Sequence, residues 1–280
     1  MNLISFSLTC HSHINTYDTR VLPLIRRLCN LEELTLCLTV RDRNSSIDGS
    51  HLQNEILNHL PFLQRFTFDI RSWSTANNNN LNEPLSNDDI QQTFTNIGYE
   101  NVGCSIRHCH ENHLLCHVFS LPFTFDYLQC ITNNFPRVIF SHVLYLSICD
   151  ILPFEHEFFL RLAQSFPLLK HLTVSNTFPQ VSTSQSTDDA KQSSTIVIYP
   201  HLNYLSVMCS DVTYAEQFLL ETRTHLPCLT QLRIELSKLK IVTGNFTRDV
   251  TQRNCAGVNE LITETRLTRS TELSFYFPLL

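Results

Sequence analysis

Glycine and long apolar runs are both scarce in this sequence. Only five of the 280 residues are glycine, which disfavours folds that use glycine-rich loops to hold phosphate groups. No run of 18 or more apolar residues occurs, so no membrane-spanning helix is expected. The segment Met1–Cys10 has neither a charged leader nor a continuous apolar stretch, and we therefore expect no signal peptide.

Basic clusters and familiar catalytic motifs are also missing. The net charge is −6, and the 20 lysines and arginines are thinly spread, so the basic stripe that nucleic-acid binding needs is not expected. The sequence contains no Gly-x-Ser-x-Gly, His-Glu-x-x-His or phosphate-loop motif. These absences predict a protein that is not an enzyme and that requires no cofactor.

Cysteine, in contrast, is frequent. The chain has 11 cysteines, an odd number, and Cys37, Cys149 and Cys209 lie inside apolar stretches, where a thiol packs as a small hydrophobic group. Reduced and buried thiols are typical of the cytoplasm or nucleus. We therefore predict one of these two compartments.

The main positive signal is an internal repeat of the form apolar-x-x-apolar-x-apolar. Its first apolar positions are separated by 28, 32, 80, 26, 33, 27 and 29 residues. Leu115–Val118 lies within the long step and reads as a degenerate copy. The eight clear copies are Leu3–Leu8, Leu31–Leu36, Leu63–Phe68, Val143–Ile148, Leu169–Val174, Leu202–Val207, Leu229–Ile234 and Val258–Thr263.

This pattern predicts an α/β fold of stacked repeats. Alternating apolar residues make a short strand with one buried face, and a single strand cannot bury its leucines without neighbours. The sequence between copies has helical periodicity, and pairs such as Leu60-Pro61 and Phe166-Pro167 end a helix before the next strand. The predicted helices are 17–29, 50–60, 88–97, 125–135, 154–166, 212–226 and 244–255.

Two segments lack the apolar residues needed for packing. One is 72–87, which contains four consecutive asparagines, and the other is 178–195, which is rich in serine, threonine and glutamine. We interpret both as flexible insertions within one repeat domain that covers residues 1–280.

The eight copies resemble a leucine-rich-repeat domain with helices on its outer side. That resemblance implies a solenoid, or horseshoe, with short parallel strands on the concave face and helices on the convex face. The longer runs Ser120–Leu128, Pro153–Phe159 and Asn245–Asp249 further resemble the repeat region of F-box-like proteins. In that family the repeats present a target to a cullin-type ubiquitin ligase. Because the first repeat begins at Leu3, we expect no F-box and no recruitment of the ligase adaptor.

The resemblance makes the outward strand residues the expected binding surface for another protein. Tyrosine and arginine most often dominate binding energy, so Arg65, Tyr145, Tyr204 and Arg233 are the first candidates. The whole predicted set alternates with the buried leucines. It comprises Glu33, Thr35, Arg65, Asp69, Tyr145, Ser147, His171, Tyr204, Arg233, Glu235 and Glu260.

Two other functions remain open at this point. The first is a metal- or thiol-dependent enzyme centred on Cys104–His117, which contains Cys104, Cys109 and Cys116 among several histidines. Cysteine and histidine are zinc ligands, although this spacing matches no standard zinc motif, so no metal site is predicted. The second is a truncated paralogue that folds without engaging a ligase.

Overall fold

The chain divides into two compact units, Met1–Phe123 and Thr124–Leu280. The computed structural model describes residues 3–75, 85–108, 113–180, 195–265 and 271–280. Within these ranges the protein is a mixed α/β structure with parallel strands. No helix in the described part of the chain is long and apolar enough to cross a bilayer. The prediction of one continuous repeat domain stays a prediction.

Unit 1 contains a five-stranded sheet in the order β1-β2-β3-β5-β4. The first three strands pair in parallel, whereas β5 pairs antiparallel with both β3 and β4. The strands are β1 Ser5–Ile14, β2 Glu33–Arg43, β3 Arg65–Thr75, β4 Val102–His108 and β5 His113–Ser120. The connecting helices are α1 Leu22–Arg26, α2 Gly49–Glu55 and α3 Asn87–Thr95, with a π-helical turn Tyr17–Val21 before α1 and a 3₁₀ turn Leu57–His59 after α2.

The core of unit 1 lies between the sheet and these helices. Alternate residues of β2, from Leu34 to Val40, are fully buried on the helix side. They pack with Phe68 of β3 and Phe94 of α3. The first three repeat copies correspond to β1, β2 and β3, and their apolar positions are in register.

Unit 2 is built on a six-stranded sheet in the order β13-β12-β10-β8-β7-β6, in which every pairing is parallel. Its strands are β6 Tyr127–Ile131, β7 Tyr145–Cys149, β8 His171–Ser175, β10 Tyr204–Ser206, β12 Gln231–Arg233 and β13 Glu260–Ile262. A small parallel pair joins β9 Val197–Ile198 to β11 Thr224–His225. The helices are α4 His156–Ser165, α5 Val212–Leu219, α6 Leu236–Thr243, α7 Asp249–Cys255 and α8 Thr271–Tyr276.

The leucines of successive repeats meet in one layer of unit 2. Leu146, Leu172, Leu205, Leu232 and Leu261 are paired in sequence across five neighbouring strands. The first four are buried, whereas the last, on the edge strand, is only partly buried. Because each strand is only three to five residues long, its burial depends on its neighbours.

Four sequence predictions for local structure were wrong. The helix predicted over 212–226 ends at Leu219, and Thr224–His225 form strand β11. Residues 125–135 do not form a helix but contain strand β6. Leu115–Val118 is not a parallel repeat copy, because it belongs to the antiparallel strand β5. The last predicted helix, 244–255, begins only at Asp249, and an unpredicted helix, α6, precedes it. Gly244 ends α6 in the left-handed region, at φ 58°, which glycine adopts without strain.

The two predicted insertions are shorter than expected. Strand β3 extends through Ser72 and Ser74, which are buried, to Thr75, and α3 already begins at Asn87. In the second insertion, buried Gln180 donates a hydrogen bond to the carbonyl of Phe154 at 2.7 Å. Residues 76–84 and 181–194 lie outside the described residues, so the prediction that they are flexible stays a prediction.

Candidate binding face

The face of the unit 2 sheet opposite the leucine layer carries a row of aligned side chains. Strand register places Tyr127 beside Tyr145, followed by His171 and Tyr204. The same row continues with Gln231 and Glu260 on the last two strands. We call the first four residues the aromatic row. It exists because the position before the inward leucine is aromatic in four successive parallel strands.

The rings of the aromatic row contact one another. Ring centroids are 6.5 Å apart between Tyr127 and Tyr145, 4.5 Å between Tyr145 and His171, and 5.3 Å between His171 and Tyr204. Tyr145 is 39% exposed, and the other three rings are half-buried. Mutual stacking limits ring rotation in the free protein, so a partner would lose little side-chain entropy on binding. The row is therefore a preorganised aromatic surface.

His171 stays uncharged more easily than an ordinary histidine. Burial, together with the nearby charge of Lys170, lowers the pKa of His171. The neutral imidazole thus predominates at neutral pH and stacks between two tyrosines. This keeps the centre of the aromatic row uncharged.

Charged and polar groups lie beside the row on the later strands. Gln231 donates a hydrogen bond to the Glu260 carboxylate at 2.6 Å. Arg233, two residues beyond Gln231, is exposed. Glu235 lies just past β12 and is 2.7 Å from the ammonium group of Lys238. The face thus combines aromatic rings with an exposed guanidinium group and two carboxylates.

The structure brings seven of the predicted binding residues onto or beside this face of unit 2. They are Tyr145, Ser147, His171, Tyr204, Arg233, Glu235 and Glu260. Sequence reasoning missed Tyr127 and Gln231. Tyr127 was missed because its strand was interpreted as a helix, although Tyr127-Leu128 repeats the Tyr145-Leu146 pattern. The role of the predicted residues in binding stays a prediction.

Two of the predicted residues form a separate pair in unit 1. Glu33 and Arg65 lie opposite each other on β2 and β3, with 3.0 Å between the carboxylate and the guanidinium group. Both side chains are solvent-accessible. Exposed ion pairs contribute little to stability, so both residues are available to a partner.

Asp69 corrects the prediction, because it alternates with the core residues of β3 as expected but is not accessible to a partner. It is fully buried in the middle of the long strand β3, opposite Phe119 of the antiparallel strand β5. The Phe119 ring contacts the rings of His117 and Phe123. On this side of β3, Asp69 and Arg71 are buried, whereas Arg65 and Thr75, at the two ends of the strand, are exposed. The alternation of inward and outward residues along β3 was predicted correctly. The burial of Asp69 beside the antiparallel strand β5 could not be predicted from the sequence.

A buried polar network surrounds Asp69. Its carboxylate is 2.5 Å from Nε2 of His117 and 3.5 Å from Nη2 of Arg71. The thiol of Cys37 donates to the same carboxylate at 3.6 Å. Burial alone would raise the pKa of Asp69, but the charge and hydrogen bond of His117, together with Arg71, hold it below its ordinary value. Burial and Asp69 raise the pKa of Cys37 to about 12, so this thiol is a poor nucleophile.

The described parts of the cysteine- and histidine-rich segment 104–117 lie in β4 and β5, which pair antiparallel. Cys104 and Cys116 point towards the unit 1 core, and burial raises the pKa of both thiols, that of Cys104 to about 11. His117 points to the other face and pairs with Asp69. Cys109 and His110 lie outside the described residues. Across the described ranges, no group of three or more histidine, cysteine or acidic side chains is arranged to hold a metal ion.

Comparisons with known proteins add no assignment. No protein-family model, no curated protein sequence and no solved structure matches this chain. The candidate face therefore has to be judged on its own geometry.

Proposed function

We propose that this chain is a leucine-rich-repeat protein that binds another protein through the aromatic row of unit 2. In this proposal the parallel strands are the concave surface of a repeat solenoid, and the helices form its outer side. The in-register leucine layer supports this reading, because neighbouring repeats share their buried surface. The protein acts by binding and performs no covalent chemistry.

The observation that carries the proposal is the set of four contacting, solvent-accessible rings. Aromatic side chains supply large contact areas at low entropy cost and are enriched among residues that dominate binding energy. Their ring faces also attract lysine and arginine side chains. With Arg233 and Glu260 beside them, they suit a partner surface that presents apolar and basic side chains together with a carboxylate.

The resemblance to F-box-like repeat regions extends the proposal to the class of partner. In that reading the bound protein is a target for ubiquitin ligation, which this chain recognises. A target of this kind accumulates on the chain when the proteasome is inhibited. Recruitment of the ligase adaptor is not part of the proposal.

Affinity capture with matched variants tests the binding face. The full chain, the Tyr145→Ala/Tyr204→Ala variant and a Phe275→Ala control are each used as bait, with and without proteasome inhibition. Phe275 is a suitable control because it is 73% exposed and lies in α8, whose Tyr276 contacts Thr251 of α7. A protein that depends on the row is then purified, and its Kd is measured by calorimetry.

We expect the double variant to weaken binding by about 30-fold or more, as loss of a dominant contact does. The Phe275→Ala control should retain the wild-type Kd. Equal Kd values for the double variant and the wild type would overturn the proposed face. An unchanged far-ultraviolet circular dichroism spectrum would show that the double variant is folded.

A further inference from the structure

The outer edge of β1 pairs with no other strand of the described residues. Among the described residues, β1 pairs only with β2 and ends the five-stranded sheet. The carbonyl of Ile4 accepts the N–H of Glu33 at 3.1 Å. Backbone groups alternate in direction along a strand, so those of Ser5, Ser7 and Thr9 point to the open edge.

This edge lacks the features that usually prevent strand pairing. Natural edge strands are protected by charged side chains, proline or bulges. The segment Ser5–Cys10 contains no charged residue and no proline, and its register with β2 is regular until Cys10. This part of β1 is therefore an uncharged stretch of six residues with a regular register.

The core side of the same strand is incompletely covered. Phe6 and Leu8 are only partly buried, whereas Leu34 and Leu36, their partners on β2, are fully buried. Ile4, just before the strand, is 53% exposed. One more strand beside β1 would bury these side chains as β1 buries those of β2.

We propose that β1 pairs antiparallel with β1 of a second copy of this chain, around a two-fold axis at Ser7. This register makes Ser7 face its own copy and Ser5 face Thr9, so that the outward backbone groups meet as hydrogen-bonded pairs. Phe6 then lies opposite Leu8, which buries the apolar side chains of both copies together.

A second copy fits this edge better than a charged foreign strand. The whole chain carries a net charge of −6, so two copies repel each other overall. The edge itself is uncharged, so two copies meet there without repulsion and a charged strand would find no complementary group. A two-fold axis also closes the contact, which gives a dimer and not a growing filament.

Sedimentation equilibrium of the full chain tests this dimer. The wild type should have twice the chain mass of 32.4 kDa. Ser7→Glu and Ser7→Lys should each be monomeric, because like charges would face each other across the axis about 5 Å apart. An equimolar mixture of the two variants should form a dimer again, and this rescue would show that both variants are folded.

Thr35→Glu provides the matched control. Thr35 is the β2 partner of Ser7 and lies on the same face, one strand away from the edge, so its variant should remain dimeric. A monomeric wild type at about 50 μM, a concentration at which even micromolar affinity populates the dimer, would overturn the proposal. Dimers of both single variants at that concentration would do so as well.

Discussion

At the scale of single residues, Asp69 is held by His117 and Arg71 in a fully buried position. Replacing Asp69 by Asn keeps the shape of the side chain but removes its charge. The buried Arg71 guanidinium group then lacks its counter-ion, and buried His117 lacks its carboxylate partner. We expect the free energy of unfolding to fall by about 3–5 kcal/mol, as for other broken buried pairs. Urea unfolding at neutral pH, followed by circular dichroism, measures this change.

Glu33→Gln is the control for that measurement. It also removes one carboxylate from an ion pair with an arginine, but both partners are exposed. Its effect should stay within about 0.5 kcal/mol. Equal effects of the two substitutions would show that burial of the ion pair does not determine the loss of unfolding free energy.

The same carboxylate predicts a pH dependence. The folded-state pKa of Asp69 lies below its unfolded value, which is about 3.9. Its stabilising contribution is therefore complete above that unfolded value and is lost as the pH falls through the lower folded value. The wild type should lose stability more steeply than Asp69→Asn in this acid range. Parallel curves of stability against pH would contradict this prediction.

Cysteine reactivity should separate two groups of thiols. Burial raises the pKa of Cys37 and Cys255 to about 12, whereas Cys29, Cys209 and Cys228 are exposed. The prediction that Cys209 is buried was therefore wrong. Iodoacetamide reacts with the thiolate. We expect the three exposed cysteines to be alkylated first in the native protein, and all five in urea. Peptide mass spectrometry measures the modified fraction at each site, and rapid native labelling of Cys37 would contradict its burial.

At the scale of elements, the shared leucine layer predicts that Leu→Ala substitutions lower the free energy of unfolding by different amounts along the unit 2 sheet. Leu205 is fully buried between Leu172 and Leu232, whereas Leu261 lies on the edge strand and is partly buried. Leu205→Ala should lower the free energy of unfolding by about 2–5 kcal/mol. Leu261→Ala is the matched control and should cost less, since its neighbours cover only one side. Equal losses of unfolding free energy for the two variants, measured by urea unfolding, would contradict a leucine layer shared between neighbouring strands.

The start of α5 is indicated by its local sequence, whereas the strand β6 is not. Aspartate is among the residues that most often begin a helix, and the carboxylate of Asp211, just before the predicted helix 212–226, accepts the N–H of Thr213 at 2.9 Å. The strand β6 was missed because its apolar residues fit both a helical and an alternating period, and only pairing with β7 selects the strand. Tyr127 was lost from the candidate face for the same reason.

At the scale of the whole molecule, the two proposals concern different units and should be separable. The aromatic row lies in unit 2, and the β1 edge lies in unit 1. We expect Ser7→Glu to abolish the dimer while each chain still binds the partner with the wild-type Kd. We expect Tyr145→Ala/Tyr204→Ala to weaken partner binding while the dimer persists. Calorimetry and sedimentation on both full-length variants measure the two effects.

A linked outcome would change this picture. If Ser7→Glu also weakened partner binding, the binding surface would require both copies of the chain. If the tyrosine variant also lost the dimer, the two surfaces would not be independent. Either result would contradict the prediction that the aromatic row and the β1 edge act independently.

The sequence by itself determined the position of the repeat strands and which of their residues face inward. This succeeded because burial of alternate leucines in a strand leaves a local pattern that needs no knowledge of other segments. Only the tertiary structure decided that β5 runs antiparallel beside β3 and that Asp69 is therefore buried with His117. It also decided that Tyr127 joins the aromatic row. Both outcomes depend on contacts between segments distant in sequence, whose energies no local pattern contains.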